Sequence, residues 1–191
     1  MSSNRWPAKS RLPDLRYDDM SAEQQRAHDE IAAGPRGRVE GPLAVWLHAP
    51  KLATHAQKLG AHARFDSLLP PALSELAILV TAATWHSEFE WYAHARLARE
   101  AGIADTVIEA IRNGEKPSLP DAKAQAVYAV SRELHRTRAL SDATYAAAET
   151  ALGRAALVDL VGILGYYTLV SMTLNAFRVP TPDGSRPFGN I

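Results

Sequence analysis

Between residues 72 and 101, apolar side chains recur at helical spacing through two consecutive segments. Three polar side chains that interrupt them, Glu75, Glu90 and His94, fall on the faces that should be buried. Wound at 100° per residue, Glu88, Tyr92, Arg96 and Arg99 share one side of residues 88–101, and Glu90, His94, Leu97 and Ala101 share the other. In the segment before it, Glu75 aligns with Leu79, Ala82 and His86, opposite Ser74, Thr81 and Thr84. A carboxylate on an apolar face is costly unless it is paired or hydrogen-bonded. The pattern therefore predicts that Glu75, Glu90 and His94 converge between two helices, and these three are the candidate catalytic residues.

Punctuation along the rest of the chain gives helices as well. Ser21-Ala-Glu-Gln24 reads as a capping box opening a helix to about Ala33. Gly34-Pro35-Arg36-Gly37 and Gly41-Pro42 bracket a loop, Leu43–His48 is a short apolar turn, and Lys51–Phe65 is a helix. Pro70-Pro71 starts the central pair, and a second capping box, Ser87-Glu-Phe-Glu90, divides it near Trp85–His86. Further helices are expected over Ala104–Asn113, from Pro120-Asp121 to about Arg138, over Ala143–Leu152, and over Arg154–Phe177, which is apolar all round. Residues 1–20 (with Pro7 and Pro13) and 179–191 read as extended arms. No run longer than four residues alternates with a strand period. The expected fold class is all-α, a single domain over residues 1–191 with about seven or eight helices.

Composition removes several functions. Twenty-one basic and 21 acidic side chains cancel, and no Lys/Arg run exists, so neither nucleic acid nor an anionic membrane surface is expected as a partner. Cysteine is absent, which excludes disulfides, thiolate zinc sites and thiol catalysis. The first twenty residues lack an apolar signal region, which makes the cytoplasm the expected location. Ala155–Phe177 has the length of a membrane span, but Asp159, Asn175 and three Ser or Thr residues interrupt it. A helix buried in a core or a subunit interface is the expectation. His86, Glu90 and His94 have i, i+4, i+8 spacing and Glu75 would complete a metal set. That set requires one unbroken helix through Ser87, against the capping box, so neither metal nor cofactor is expected. His55 and His62 stand roughly 10 Å apart along a helix, too far to share an ion.

One order of features carries a family resemblance. It runs Leu73-Ser-Glu75-Leu-Ala-Ile-Leu79, Phe89-Glu90-Trp91-Tyr-Ala-His94 and Ala98-Arg-Glu-Ala-Gly102-Ile, then Val107-Ile-Glu-Ala-Ile-Arg-Asn-Gly114, Tyr166-Tyr167 and Asn175-Ala-Phe-Arg-Val-Pro180. Together these span most of the chain and resemble the carboxymuconolactone decarboxylase family, which shares its fold with the alkylhydroperoxidase D proteins. The peroxidase branch uses Cys-x-x-Cys with an upstream glutamate and a histidine four residues after the second cysteine. Here those positions hold Ser87, Glu90, Glu75 and His94. A hydroxyl cannot cycle through a sulfenic acid or a disulfide, so peroxidase activity is excluded.

The resemblance implies a cofactor-independent, decarboxylase-type lyase or isomerase of aromatic catabolism, acting on a small carboxylated or lactone metabolite. It also implies a homo-oligomer, a trimer or hexamer. His94 is read as proton donor or shuttle, Glu90 as the group that orients it, and Glu75 as a protonated donor to a developing oxyanion. Ser87, His86, Trp91 and Tyr167 are the expected substrate-binding residues. The competing reading is a non-catalytic scaffold or small-ligand binder that kept the fold after losing the cysteines. A cavity opening beside His94 separates the two.

Overall fold

The segment from Pro71 to Trp85 is mostly apolar with little sidedness, and Ser74 to Ala82 are all buried, so it must be surrounded. In the computed structural model, which describes residues 9–119 and 121–189, this helix is the axis of the molecule. The helices are α1 (Ala22–Ala33), α2 (Pro42–Trp46), α3 (Pro50–Ala61), α4 (Pro71–Trp85), α5 (Glu88–Glu100), α6 (Asp105–Arg112), α7 (Ala122–Thr137), α8 (Asp142–Leu152) and α9 (Arg154–Phe177). A 3-10 turn covers Tyr17–Asp19 and a π turn covers His62–Asp66. No strand occurs among the described residues, and the expected all-α class is what the chain adopts.

α4 packs against α9, α5, α7 and α6. Its Leu76, Ile78, Leu79 and Val80 are buried on all sides. Fully burying a side chain of this size contributes roughly 1.5–3 kcal/mol, which is why the surrounding helices turn their apolar faces inward. α9 supplies Leu160, Ile163, Val170 and Leu174 to the same core. Two hydrogen bonds fix its C-terminal half: Asn175 Nδ2 donates to the Trp85 carbonyl at 2.7 Å, and Trp46 Nε1 donates to Thr173 Oγ1 at 3.0 Å. The first of these satisfies an orphan carbonyl at the end of α4.

Local signals set most boundaries. The Ser21/Gln24 capping box forms in both directions, Asp121 caps Ala124 N, and Ser141 caps Thr144 N. Two expectations need correction. The helix read over Lys51–Phe65 stops at Ala61 and continues as the π turn, where Asp159 of α9 accepts from Leu68 N and from His62 Nε2. The capping box at Ser87 does not form: Ser87 makes no side-chain cap, and the Glu90 carboxylate is engaged by His94 instead. α4 nevertheless ends where expected. His86 adopts the left-handed conformation (φ 45°, ψ 45°) and Ser87 N donates back to the Ala82 carbonyl at 2.9 Å, closing the helix end.

The arms fold back on the body. Arg11 N donates to the Phe177 carbonyl, and the C-terminal tail lays Phe188 against Trp91 and His86. Pro7 and Pro120, which entered the sequence reading, lie outside the described residues.

Candidate functional site

α4 and α5 present their buried polar groups to each other. His94 Nδ1 lies 2.7 Å from Glu75 Oε2, and His94 Nε2 lies 2.9 Å from Glu90 Oε1. The Glu90 contact is the i, i+4 neighbour on α5, and the Glu75 contact crosses to α4. All three residues are nearly dry, at 7% (Glu75), 3% (Glu90) and 5% (His94) exposure. An imidazole with a carboxylate at each nitrogen donates from both and carries the charge. Burial alone pulls an imidazolium toward neutrality. Here the carboxylates of Glu90 and Glu75 outweigh it and hold His94 at about 9.

The ring of Tyr167 stands edge-on to His94 with centroids 5.0 Å apart, and Tyr166 stands edge-on to Tyr167 at 5.2 Å. Burial, with Glu90 next, pushes the Tyr167 hydroxyl well above its ordinary value. Both phenols are therefore protonated donors at neutral pH.

A cleft of about 940 Å³ opens beside this array. Glu90, His94, Trp91 and Tyr167 are in its wall, and Glu75 holds His94 from behind. Ser87 and His86, read as substrate-binding residues, do not line it. His86 leaves the helix in its left-handed turn, is exposed, and packs on Phe188, while Ser87 is fully buried with its Oγ unpartnered. The same break removes the i, i+4, i+8 metal spacing, because His86 is no longer in register with Glu90 and His94. The oxyanion-donor role assigned to Glu75 also meets a competing fact, since its Oε2 accepts from His94.

Arg36, Arg64 and the tail residues Pro182 and Pro187 line the cleft without having been expected there, and Tyr166, read chiefly as packing, lines it too. Tyr166 had a weak signal in the Tyr166-Tyr167 pair. Arg36 had none, because it sits in a Gly-Pro loop 130 residues from the tyrosine it meets.

Comparison with known proteins agrees with the architecture. Residues 50–133 match the model of the carboxymuconolactone decarboxylase family, a span holding α3 through most of α7 and all three members of the array. Two solved structures share the fold. One, described as an alkylhydroperoxidase AhpD core, is an uncharacterised peroxidase-related protein from Ralstonia eutropha JMP134. It has a TM-score of 0.76 at 16% identity, over 97% of this chain and 99% of that one. The other is a protein of unknown function from Agrobacterium tumefaciens, with a TM-score of 0.64 at 10% identity, over 75% of this chain and 99% of that one. No curated protein matches the chain. The fold is thus all-α and of the alkylhydroperoxidase D type. Residues 50–133 are similar to the carboxymuconolactone decarboxylase family, and the chain has no cysteine.

Proposed function

We propose that the chain is a cofactor-independent, decarboxylase-type lyase or isomerase acting by acid/base chemistry on a small carboxylated or lactone metabolite. The observation that carries this reading is that His94 and Glu90, with Glu75 behind them, lie in the wall of an open cleft rather than in a closed core. An ion pair kept only for structure has no need of access to solvent or ligand. The peroxidase description of the Ralstonia structure does not transfer, because the chain has no thiol to oxidise.

In such a reaction the bond to the departing carboxyl group breaks, carbon dioxide leaves, and its electron pair delocalises into a conjugated carbonyl. The resulting enolate then takes a proton on carbon. His94, charged at neutral pH, supplies positive potential at the enolate and the proton that quenches it. Glu75 holds the ring from Nδ1. Glu90 receives the replacement proton from solvent and returns it through Nε2. Isomerisation uses the same two groups, with Glu90 removing the proton that His94 restores elsewhere.

The test is a panel of carboxylated lactones and β-keto acids followed by loss of ultraviolet absorbance, with Glu90→Gln run beside the wild type. The amide keeps an acceptor for Nε2 and cannot relay a proton. Turnover is expected to drop by roughly two to four powers of ten, the range for a positioned acid/base group. Undiminished rates in Glu90→Gln would refute the mechanism, and a panel that binds without turnover would favour a small-ligand binder.

A further inference from the structure

The Glu75–His94–Glu90 array leaves one requirement of enolate chemistry unmet. His94 has two ring nitrogens, and both are engaged by carboxylates: Nδ1 by Glu75 at 2.7 Å and Nε2 by Glu90 at 2.9 Å. No third N–H remains for a carbonyl oxygen that gathers charge. Glu75 cannot fill the gap, because its Oε2 accepts from His94. A reaction through an enolate needs a preorganised donor at that oxygen.

Tyr167 of α9 is the donor in reach. It lines the cleft, is only 2% exposed, and stands edge-on to His94 with ring centroids 5.0 Å apart. Its hydroxyl has no hydrogen-bond partner among the described residues. Two other unpartnered hydroxyls, Ser87 Oγ and Ser171 Oγ, are sealed inside the protein, and the Tyr167 hydroxyl is not one of these sealed atoms. A phenol in an apolar wall ordinarily finds a partner, and here the cleft is the side from which one can come. The ring is also fixed. Tyr166 stands edge-on to it at 5.2 Å, Trp46 stands edge-on to Tyr166 at 6.1 Å, and Trp46 Nε1 is anchored on Thr173 Oγ1. Burial, with Glu90 next, pushes the phenol well above its ordinary value, so it keeps its proton and acts as a donor, not as a base.

We infer that Tyr167 is a catalytic residue of the cleft, whose O–H donates a hydrogen bond to the oxygen on which the enolate charge collects. The inference rests on the acid/base reading of His94 and Glu90. As the bond to the carboxyl group breaks, carbon dioxide leaves and the electron pair passes through the conjugated carbonyl to its oxygen. Tyr167 keeps its proton throughout, and its hydrogen bond strengthens as the oxygen becomes anionic. His94 then protonates carbon, the electron pair returns from the oxygen, and the carbonyl re-forms. His94 at carbon and Tyr167 at oxygen are thus neighbouring groups for neighbouring atoms of one ligand. The ligand class follows: small conjugated lactones or ketones whose negative charge spreads onto a ring or carbonyl oxygen.

Calorimetric titration at neutral pH and one ionic strength tests this with three ligands. Tetronic acid is a lactone present as its enolate at that pH, its methyl ether is neutral, and cyclopentanecarboxylate is an anion of similar size without an enolate oxygen. Wild-type protein is expected to bind the enolate at least about tenfold more tightly than the ether. Tyr167→Phe should weaken enolate binding roughly ten- to a hundredfold, the range for a hydrogen bond to a charged group, and leave the other two ligands unchanged. Its melting temperature should hold or rise, because the hydroxyl has no partner in the empty protein. On any substrate that turns over, kcat should fall by roughly two to three powers of ten with KM little changed, the pattern of a lost oxyanion donor. Equal binding of enolate and ether, no binding of the enolate, undiminished enolate affinity in Tyr167→Phe, or a parallel loss for cyclopentanecarboxylate would each overturn the assignment. If Tyr167→Phe does not fold, proton NMR of the wild type carries the test: a phenolic resonance should move downfield with the enolate and not with the ether, and its absence counts against the donor. The two readings fail separately. An enolate preference that depends on Tyr167 and survives in Glu90→Gln, with no turnover anywhere, removes the lyase chemistry and leaves the oxyanion site. Turnover that depends on Glu90 but ignores Tyr167→Phe does the reverse.

Discussion

His94 is a charged side chain in a dry place, and its stabilisation is conditional on pH. Its folded pKa is raised, to about 9 from an ordinary value of 6.5. Its contribution to stability is therefore present in full below about pH 6.5 and is lost as pH rises through about 9. The change is of order 3 kcal/mol. Urea unfolding between pH 7 and pH 10 should show a falling midpoint, with a shallower fall in Glu90→Gln, where one source of the shift is gone. Parallel curves for the two proteins would mean that Glu90 does not raise His94. His94→Ala is a poor probe of chemistry here. It leaves two buried carboxylates facing each other, a defect expected to cost about 3–5 kcal/mol. The convergence of Glu75, Glu90 and His94 was legible in the sequence because all three broke an apolar helical face. The use of Ser87 was not: the local S-x-x-E signal favours a cap, and burial of Glu90 against His94 overrides it. The expected substrate contact of His86 fails for a related reason, since a helix end in the left-handed conformation redirects the side chain.

At the scale of elements, α3 reports on the packing around Tyr166. Replacing a mid-helix glycine by alanine ordinarily stabilises a helix by roughly 0.5–1 kcal/mol. At Gly60 the new methyl would collide with the Tyr166 hydroxyl, and Tyr166 cannot yield easily because its ring is fixed between Trp46 and Tyr167. Gly60→Ala is expected to destabilise by about 1–3 kcal/mol, as overpacking does, while far-ultraviolet dichroism keeps its helical form. A raised melting temperature would show that this region is loosely packed. The helices with strong punctuation were readable in advance, and Arg154–Phe177 falls where glycine and periodicity put it, while α4 ends near Trp85–His86 as expected although the capping box from which that break was read does not form. The 3-10 turn at Tyr17–Asp19, the π turn at His62–Asp66 and the tail over the cleft were not readable. The π turn and the tail are held by partners distant in sequence: His62 meets Asp159, and Glu88 Oε2 accepts from Phe188 N.

At the scale of the whole molecule, α9 leaves an apolar stripe exposed among the described residues. α9 buries one side against α4, and half of its most apolar window is covered. Val158 (71% exposed), Val161 and Met172 face outward at helical spacing, with Gly162 and Gly165 on the same exposed stripe. Leu68, 63% exposed, lies just beyond the π turn that packs on α9 and extends this patch. The helix is long and apolar enough to cross a membrane. A span, however, would place Asp159, with its bonds to Leu68 N and His62, in hydrocarbon and would strip α4 of its cover. A second copy of the chain satisfies the patch without either cost, and the glycines let a facing helix approach closely. Wild-type protein is therefore expected to sediment at micromolar concentration as a homo-oligomer, a trimer or hexamer if the family resemblance extends to assembly. A contact of this kind needs on the order of 1,000 Å² of buried surface, so a single charge at its centre is enough to disrupt it. Val161→Glu should shift the boundary toward the mass of one chain, with helical content unchanged. Wild-type protein that already sediments as one chain would assign the exposed stripe to something other than self-association.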